Sequence, residues 1–280
     1  MTESTPAELR ILHLSDTHLT GDGSLHYGIV DTQEHLERVL ERASILDDLD
    51  LVAVSGDLSE DGSIESYENL KRLIEPFAAR RGAAVAFTMG NHDDRENFEA
   101  VLGPRTGVEV VHGFRIIRLD TSVPGQGFGL VDDAQLEWLR TELAGPSGRG
   151  TVLILHHPPI GAESALLAAL ELRNPSALTD ACSGSDVRVV LCGHYHCATT
   201  SNAAGIPIFV APGVANASDP LAPVGTERAT FASGFSLVTI PLAGSPRVNF
   251  ITVPVARDGE EIFSLDRATV DTIIKGFGPK

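Results

Sequence analysis

Five short polar blocks, each following a run of apolar residues, constrain the fold of this 280-residue chain more than any other feature. The apolar runs show little alternation and are separated by helical patterns, which is typical of strands in a sheet buried on both faces. Adjacent strand ends converge at one edge of such a sheet, so we expect the polar blocks to meet there. The blocks are Asp16-Thr17-His18, Gly56-Asp57, Gly90-Asn91-His92-Asp93, His156-His157-Pro158 and Gly193-His194-Tyr195-His196.

Helical and strand patterns alternate along most of the chain. Amphipathic periodicity predicts helices over about 32–46, 64–79, 132–143 and 265–275. Strands are predicted over about 9–14, 50–54, 83–88, 152–155, 187–191, 206–210, 235–241 and 248–255, with a hairpin in 108–117 that turns near Gly113. This order predicts an α/β fold of two packed sheets flanked by helices.

The chain shows no internal repeat and no Gly/Ser linker long enough to divide it, so we expect a single domain over 1–280. The five polar blocks occupy 16–196 of that domain. The C-terminal stretch from about 242 to 280 is expected to complete the core or to form an oligomer interface. The Ala-, Gly- and Pro-rich stretch 212–230 is expected to be the most mobile segment.

Charge and cysteine content limit the partners and the compartment. The net charge of −17 repels nucleic-acid phosphates and anionic lipid heads, whereas bound dications would still attract a small anionic substrate. No apolar run approaches the roughly 20 residues that span a membrane, and the polar start lacks a signal-peptide pattern. The three cysteines, Cys182, Cys192 and Cys197, are too few for a disulfide framework, so reduced thiols and a cytoplasmic location are predicted.

The polar blocks carry the residue types that bind hard or borderline divalent metal ions. Asp16 and His18 lie two residues apart, as do His194 and His196, so each pair can point to one side of an extended strand end. Several imidazoles beside carboxylates favour Mn²⁺, Fe or Zn²⁺ over Mg²⁺ or Ca²⁺. A zinc knuckle built on Cys192 and Cys197 is disfavoured, because no Cys-x-x-Cys pair accompanies them.

The ordered set of blocks resembles the calcineurin-like metallophosphoesterase superfamily, whose pattern is DxH, GD, GNH[D/E], H and GHxH. The match spans 16–196. Three finer features are similar to the class III cyclic nucleotide phosphodiesterases: Asp94-Arg95 after the third block, the segment 119–125, and His156-His157-Pro158-Pro159. The resemblance implies a four-layer sandwich of two mixed β-sheets flanked by helices, α/β or α+β according to the scheme. It also implies a homodimer.

The resemblance further implies a role for each matching residue. The first metal ion would be held by Asp16, His18 and His196, the second by Asn91, His156 and His194, and Asp57 would bridge the two. A hydroxide between the metals would attack phosphorus in line with the departing ester oxygen. His92 would contact the phosphate and protonate that oxygen, with Asp93 orienting its ring. Asn91, His92 and His196 would contact the substrate. The family spacing selects His156 rather than His157 as the ligand.

Four histidines outside the pattern have simpler interpretations. His13 lies in a predicted strand and is expected to be a buried core residue, whereas His35 and His112 are expected on the surface. His26 follows the first block in a glycine-rich loop and could border the substrate pocket.

Sequence differences from two related families narrow the range of predicted substrates. Purple acid phosphatases have a ligating tyrosine where this chain has Glu60, and protein Ser/Thr phosphatases have a V-D-R-G segment where it has 58–62. The resemblance therefore implies hydrolysis of 3′,5′-cyclic AMP, and of other cyclic nucleotides, to the 5′-monophosphate. The alternative within enzymes is a broad phosphodiesterase for glycerophosphodiesters or 2′,3′-cyclic nucleotides. The alternative from another class is a metal-free protein-binding scaffold.

Overall fold

The computed structural model describes residues 8–279. Its strands are β1 (Glu8–Leu14), β2 (Leu51–Ser55), β3 (Ala84–Thr88), β4 (Gly107–Val111), β5 (Phe114–Arg118), β6 (Thr151–Ile154), β7 (Val187–Cys192), β8 (Thr199–Ala203), β9 (Ile206–Val210), β10 (Ala217–Ser218), β11 (Glu227–Thr230), β12 (Gly234–Pro241), β13 (Arg247–Thr252) and β14 (Glu261–Leu265). Its helices are α1 (Thr32–Ala43), α2 (Ile64–Ala79), α3 (Arg95–Leu102), α4 (Asp133–Leu143), α5 (Ala165–Ala169), α6 (Pro175–Ala181) and α7 (Arg267–Phe277). Within this part of the chain, every helix is too short or too polar to cross a bilayer.

Two mixed sheets form the centre of the structure. One has the order β13-β12-β1-β2-β3 and the other the order β4-β5-β6-β7-β9-β8. In the first sheet β1, β2 and β3 are parallel, with Leu12 beside Val52 and Val52 beside Val85. In the second, β5, β6, β7 and β9 are parallel, whereas β4 and β8 form antiparallel edges. The C-terminal stretch contributes β13 as an edge strand of the first sheet.

Alternate side chains of the parallel strands separate the core into layers. Ile11 of β1 and Ala53 of β2 pack in the core between the two sheets, whereas Leu12 and Leu14 pack in the core under α1 and α2. The second sheet divides in the same way, and its outer core lies under α4 and α6. Both faces of each sheet are therefore buried, which explains the continuous apolar runs. The predicted α/β class, with two mixed sheets flanked by helices, is confirmed.

Side-chain caps set the start of the long helices. Asp31 accepts a hydrogen bond from the Glu34 amide at the start of α1, and Ser63 accepts one from the Ser66 amide at the start of α2. Such caps satisfy amides that have no partner within the helix. The predicted bounds 64–79 agree with α2, whereas α1 ends three residues before its predicted end.

The carboxyl ends of the parallel strands position the polar blocks. β1 leads to Asp16, β2 to Asp57, β3 to Asn91, β6 to His156 and β7 to His194. A third sheet, of order β10-β11-β14, is built partly from the stretch 212–230 that was expected to be mobile. This small sheet and the packed helices α5 and α7 supply residues above the same edge.

The degree of burial was predicted for three histidines outside the polar blocks, and the structure agrees with the prediction for two of them. His13 is fully buried, and His112 is exposed. The expectation that His35 is a surface group is wrong. It is buried on α1, and its Nδ1 lies 2.9 Å from the Ala215 carbonyl oxygen. Contact with a loop distant in sequence cannot be read from the helix periodicity.

The buried His13 makes stability depend on pH. Its Nε2 lies 2.8 Å from Ser55 Oγ, and burial lowers the pKa of His13 to about 3 from its ordinary 6.5. The unfolded chain binds this proton below about pH 6.5 and the folded chain does not, so this stability is lost as pH falls from 6.5 towards 3. Between pH 6.5 and 5, we expect the free energy of unfolding of wild type to fall by about 2 kcal/mol more than that of His13→Gln. Urea unfolding at the two pH values measures both changes. His112→Gln is the control, and equal losses in wild type and His13→Gln would contradict the assignment.

Candidate metal centre and substrate cavity

The predicted ligands occupy turns with unusual backbone conformations. A positive φ is found at Asp16 (55°), His18 (43°), Asp57 (47°), His194 (70°) and His196 (47°). Such angles are uncommon outside glycine, and they persist where the surrounding structure fixes a functional geometry. Gly56 has a φ of 89°, and a Cβ there would lie 2.4 Å from His156 Nδ1. This turn therefore requires glycine.

One group of ligand atoms joins Asp16, His18 and His196. The two imidazole Nε2 atoms of His18 and His196 are 3.2 Å apart, and His196 Nε2 is 3.4 Å from Asp16 Oδ1. Ligand atoms of all three residues lie within 4.8 Å of one another. The Nδ1 of His196 faces the Asn216 carbonyl oxygen at 3.2 Å, which leaves the Nε2 lone pair directed at the group. This set of donors fits a divalent cation.

A second group joins Asp57 and His156 with Asp16 of the first, and Asn91 lines the same cavity as Asp57. His156 Nε2 lies 3.2 Å from Asp57 Oδ2, and that oxygen is also 3.8 Å from His18 Nε2. Asp57 therefore reaches both groups. Among the described residues, neither His156 Nε2 nor Asn91 Oδ1 has a hydrogen-bond partner, although both atoms are buried. Because buried polar atoms are normally satisfied, these two acceptors also fit a metal ion.

The adjacent histidines His156 and His157 have different environments. The Nδ1 of His156 bonds to the Ser55 carbonyl at 2.8 Å, which leaves Nε2 free as an acceptor. Both ring nitrogens of His157 are engaged, Nδ1 with Thr121 Oγ1 at 2.8 Å and Nε2 with the Gly127 carbonyl at 3.1 Å. His157 lies in a geometric cluster with His156 and His194, but its lone pair is already used. This supports choosing His156.

His194 can complete the second group through one nitrogen. Its Nε2 donates to the Leu170 carbonyl oxygen at 3.0 Å, so Nδ1 keeps the lone pair. Its ring centre is 5.1 Å from that of His156. Burial, followed by the charges of His157 and His156, holds the pKa of His194 well below its usual range. A neutral imidazole is the form that binds metal.

Glu60 is a functional candidate that the sequence analysis missed. Its Oε2 lies 2.8 Å from His18 Nδ1, 3.3 Å from His92 Nδ1 and 3.4 Å from His26 Nδ1. Burial raises the pKa of Glu60, but the hydrogen bond with His18 and the nearby rings of His26 and His92 outweigh it and hold the pKa well below its usual range. Glu60 is therefore an ionised carboxylate that orients a predicted ligand and the predicted acid together. The sequence signal that could have identified Glu60 is its position three residues after Asp57, where purple acid phosphatases have a ligating tyrosine.

Asp93, predicted to orient His92, is fixed by several hydrogen bonds of its own. Its carboxylate accepts from the backbone amides of Leu58, Ser59 and Gly90 and from the Tyr67 hydroxyl. It thereby ties together the loops that follow β2 and β3. The Glu60 carboxylate lies 3.3 Å from the His92 ring, whereas the orienting role of Asp93 stays a prediction.

His92 is placed to act on a bound substrate. Its backbone amide donates to Asp57 Oδ1 at 2.9 Å, and its ring is 38% exposed and lines the cavity over the metal-type residues. Burial lowers the pKa of His92, but the charges of Asp57 and Glu60 outweigh it and raise the pKa to about 9. A protonated imidazole at neutral pH can donate a proton to a leaving oxygen.

The cavity has a polar floor and largely apolar walls. Its volume is about 620 Å³. His18, Asp57, Asn91, His92, His194 and His196 line the floor. The walls come from α5 and the residue after it, from β14 and from α7, through the side chains of Leu166, Leu167, Leu170, Phe263, Leu265, Ile273 and Phe277. Tyr27 also lines the cavity, whereas His26 is buried behind it and stacks on His18. Such a site suits a ligand with an anionic end and an apolar body.

Removing the carboxylate of Glu60 should weaken the site without abolishing it. We expect Glu60→Ala to lower metal affinity or turnover by about 10- to 100-fold, because His18 and His92 lose their shared orienting partner. Metal titration and kinetics of the purified variant measure the effect. The exposed Glu68→Ala is the control, and wild-type values in both variants would show that Glu60 has no such role.

Comparison with known proteins agrees with this geometry. The family described as Calcineurin-like phosphoesterase matches residues 9–198. A probable cyclic nucleotide phosphodiesterase of Rhodococcus erythropolis is 42% identical over 239 residues, which are 82% of this chain and 79% of that protein. A cAMP/cGMP dual specificity phosphodiesterase of Mycobacterium tuberculosis is 39% identical over 263 residues, 87% of this chain and 83% of that protein.

Solved structures show the same fold. Purple acid phosphatase PPD1 from yellow lupin, Lupinus luteus, superposes with a TM-score of 0.61 at 16% identity, over 94% of this chain and 55% of that one. The chain belongs to the calcineurin-like phosphoesterase family. The superfamily resemblance expected from the five blocks is confirmed. The expected enzyme class, a metal-dependent phosphodiesterase, is supported by the family and by the relatives.

Proposed function

We propose that this protein is a dinuclear-metal phosphodiesterase that hydrolyses 3′,5′-cyclic AMP, and other 3′,5′-cyclic nucleotides, to 5′-monophosphates. The observation that carries the proposal is the pair of ligand groups that share Asp57, which lies 3.2 Å from His156 Nε2 and 3.8 Å from His18 Nε2. The names of the two relatives, a probable cyclic nucleotide phosphodiesterase and a cAMP/cGMP phosphodiesterase, support the choice of substrate.

Two metal ions would be held by seven side chains. The first ion would take Asp16, His18 and His196, the second Asn91, His156 and His194, and Asp57 would contact both. Two divalent ions bound there would lower the pKa of a water molecule and neutralise charge on the phosphoryl oxygens. The mixture of imidazole and oxygen donors favours Mn²⁺ or Fe, with Zn²⁺ as an alternative.

The protein's own groups position and protonate the substrate. Asn91, His92 and His196 line the cavity where the phosphate would bind. Water attacks phosphorus in line with the 3′ ester oxygen, and His92 gives its proton to that oxygen as it leaves. Glu60 holds the His92 ring for this transfer. The apolar walls exclude water around the reacting groups and accommodate a base.

The proposal also includes the cellular compartment and the oligomeric state of the protein. Cys182, Cys192 and Cys197 are all free thiols, which supports a cytoplasmic protein. We keep the single domain over 1–280 and the homodimer as proposals from the sequence and the family resemblance. The full ligand set disfavours a metal-free scaffold.

A kinetic panel with added Mn²⁺ tests the proposed substrate. It contains 3′,5′-cAMP, 3′,5′-cGMP, 2′,3′-cAMP, a glycerophosphodiester and a phosphomonoester. We expect the highest kcat/KM for the 3′,5′-cyclic nucleotides. Higher kcat/KM for the glycerophosphodiester or for 2′,3′-cAMP would instead support the broad small-molecule enzyme.

A further inference from the structure

Glu227 is a buried acid that the metal-type groups do not use. It lies on β11, it is 3% exposed, and it lines the cavity. Among the described residues, neither of its carboxyl oxygens has a hydrogen-bond partner. The hydroxyls of Ser164 and Ser218 lie near enough to affect its pKa, which burial raises, but neither meets hydrogen-bond geometry. Leaving a buried carboxyl unpaired is costly, so such a group in a cavity points to a ligand donor.

A second unpaired acceptor lines the same cavity. The side-chain Oδ1 of Asn216 is buried without a partner within the described chain. The backbone oxygen of Asn216 faces His196 Nδ1 at 3.2 Å, so Asn216 lies next to a predicted metal ligand. We call the Glu227 carboxyl and Asn216 Oδ1 the acceptor patch. Because Asn216 adjoins His196 and Glu227 lines the same cavity, we place the acceptor patch near the phosphate end of the substrate.

The chemistry of the proposed substrate limits what the acceptor patch can bind. With the phosphate over the metal-type residues and the base against the apolar walls of α5 and α7, the ribose lies between them. Both its 3′ and 5′ oxygens are esterified in a 3′,5′-cyclic nucleotide. The 2′-hydroxyl is then the single free donor of the sugar, and it neighbours the 3′ ester oxygen.

We propose that Glu227, together with Asn216, binds the ribose 2′-hydroxyl and so selects ribonucleotides over 2′-deoxyribonucleotides. This inference rests on the proposed cyclic nucleotide activity. A site built to pair a substrate hydroxyl discriminates strongly against the analogue that lacks it, because the buried acceptors are then left unpaired. Glu227 is thus a specificity-determining residue and is not needed for the chemistry at phosphorus.

The test compares 3′,5′-cAMP with 2′-deoxy-3′,5′-cAMP on wild type, Glu227→Ala, Glu227→Gln and the exposed control Glu163→Ala. For wild type and the control, we expect kcat/KM to favour cAMP by on the order of 100-fold, which corresponds to one hydrogen bond to a charged group. Glu227→Ala should bring this ratio close to one by losing cAMP activity while keeping deoxy-cAMP activity. Glu227→Gln should retain part of the ratio. Calorimetric Kd values for 5′-AMP and 2′-deoxy-5′-AMP should show the same pattern.

Two further substrates separate the outcomes. Bis(p-nitrophenyl) phosphate has no sugar, so Glu227→Ala should hydrolyse it at the wild-type rate. A loss there would show that Glu227 acts on the metal centre and would overturn the inference. Purine riboside 3′,5′-cyclic phosphate lacks the amino group of the base. If wild type prefers cAMP to this analogue and Glu227→Ala does not, Glu227 recognises the base and the inference is overturned. Turnover of cAMP without 2′-hydroxyl discrimination contradicts this inference alone, whereas absence of cAMP turnover contradicts the proposed function.

Discussion

Asp57→Ala is expected to remove both metal ions and to reduce phosphodiester turnover by roughly 10³-fold or more. Asp57 Oδ2 lies within 4 Å of both His18 Nε2 and His156 Nε2, so its loss affects the two groups together. Its Oδ1 also accepts the His92 amide, so the acid loses its anchor as well. Metal content per chain, measured by elemental analysis after dialysis, and turnover of bis(p-nitrophenyl) phosphate report the effect.

The exposed Asp180→Ala is the matched control, because it removes a carboxylate from α6 away from the cavity. It should retain two metal ions and full activity. Asp57→Asn keeps the shape of the side chain and one oxygen, so it separates loss of charge from loss of packing. Two metal ions retained in Asp57→Ala would refute the bridging assignment.

His92→Ala is expected to keep both metal ions and to lower kcat for cyclic nucleotides by about 10²- to 10⁴-fold, the range of general acid catalysis. His92 Nδ1 lies 3.3 Å from Glu60 Oε2, the ring lines the cavity, and the charges of Asp57 and Glu60 raise its pKa. The loss should be smaller for bis(p-nitrophenyl) phosphate, because p-nitrophenolate leaves without needing a proton. Parallel kinetics on the two substrates, with metal analysis of the same preparation, measure the difference.

His112→Ala, an exposed histidine at the β4–β5 turn, serves as the control for this series. A fall in the metal content of His92→Ala would make His92 a ligand and reverse the assignment. An equal loss on both substrates would instead place His92 in phosphate binding.

The fold, and the meeting of the polar blocks at one sheet edge, could be predicted from the sequence for one physical reason. Parallel strands buried on both faces leave continuous apolar runs, and the residues that follow them meet at one sheet edge. Asp16, Asp57 and His156 stood out as candidates because each follows such a run, whereas their roles as metal ligands come from the family resemblance and stay a prediction. Positive φ angles at non-glycine positions leave no local sequence signal, so the strain of these turns could not be predicted.

The rest of the site depends on contacts between distant segments. Glu60 meets His26 and His92 through loops, and no periodicity links them. The small sheet was missed because β10 has two residues and its partners are short. Glu227 was therefore not visible as a cavity residue. The exposed positions of β8 likewise gave no strand pattern.

The most direct test of the central claim is the hydrolysis of 3′,5′-cAMP in ¹⁸O-labelled water by the Mn²⁺-loaded protein, analysed by mass spectrometry. The proposed mechanism predicts 5′-AMP that carries one ¹⁸O atom on its phosphate, because water attacks phosphorus and the 3′ oxygen leaves. Formation of 3′-AMP, label outside the phosphate, or no product from the metal-loaded protein would contradict it.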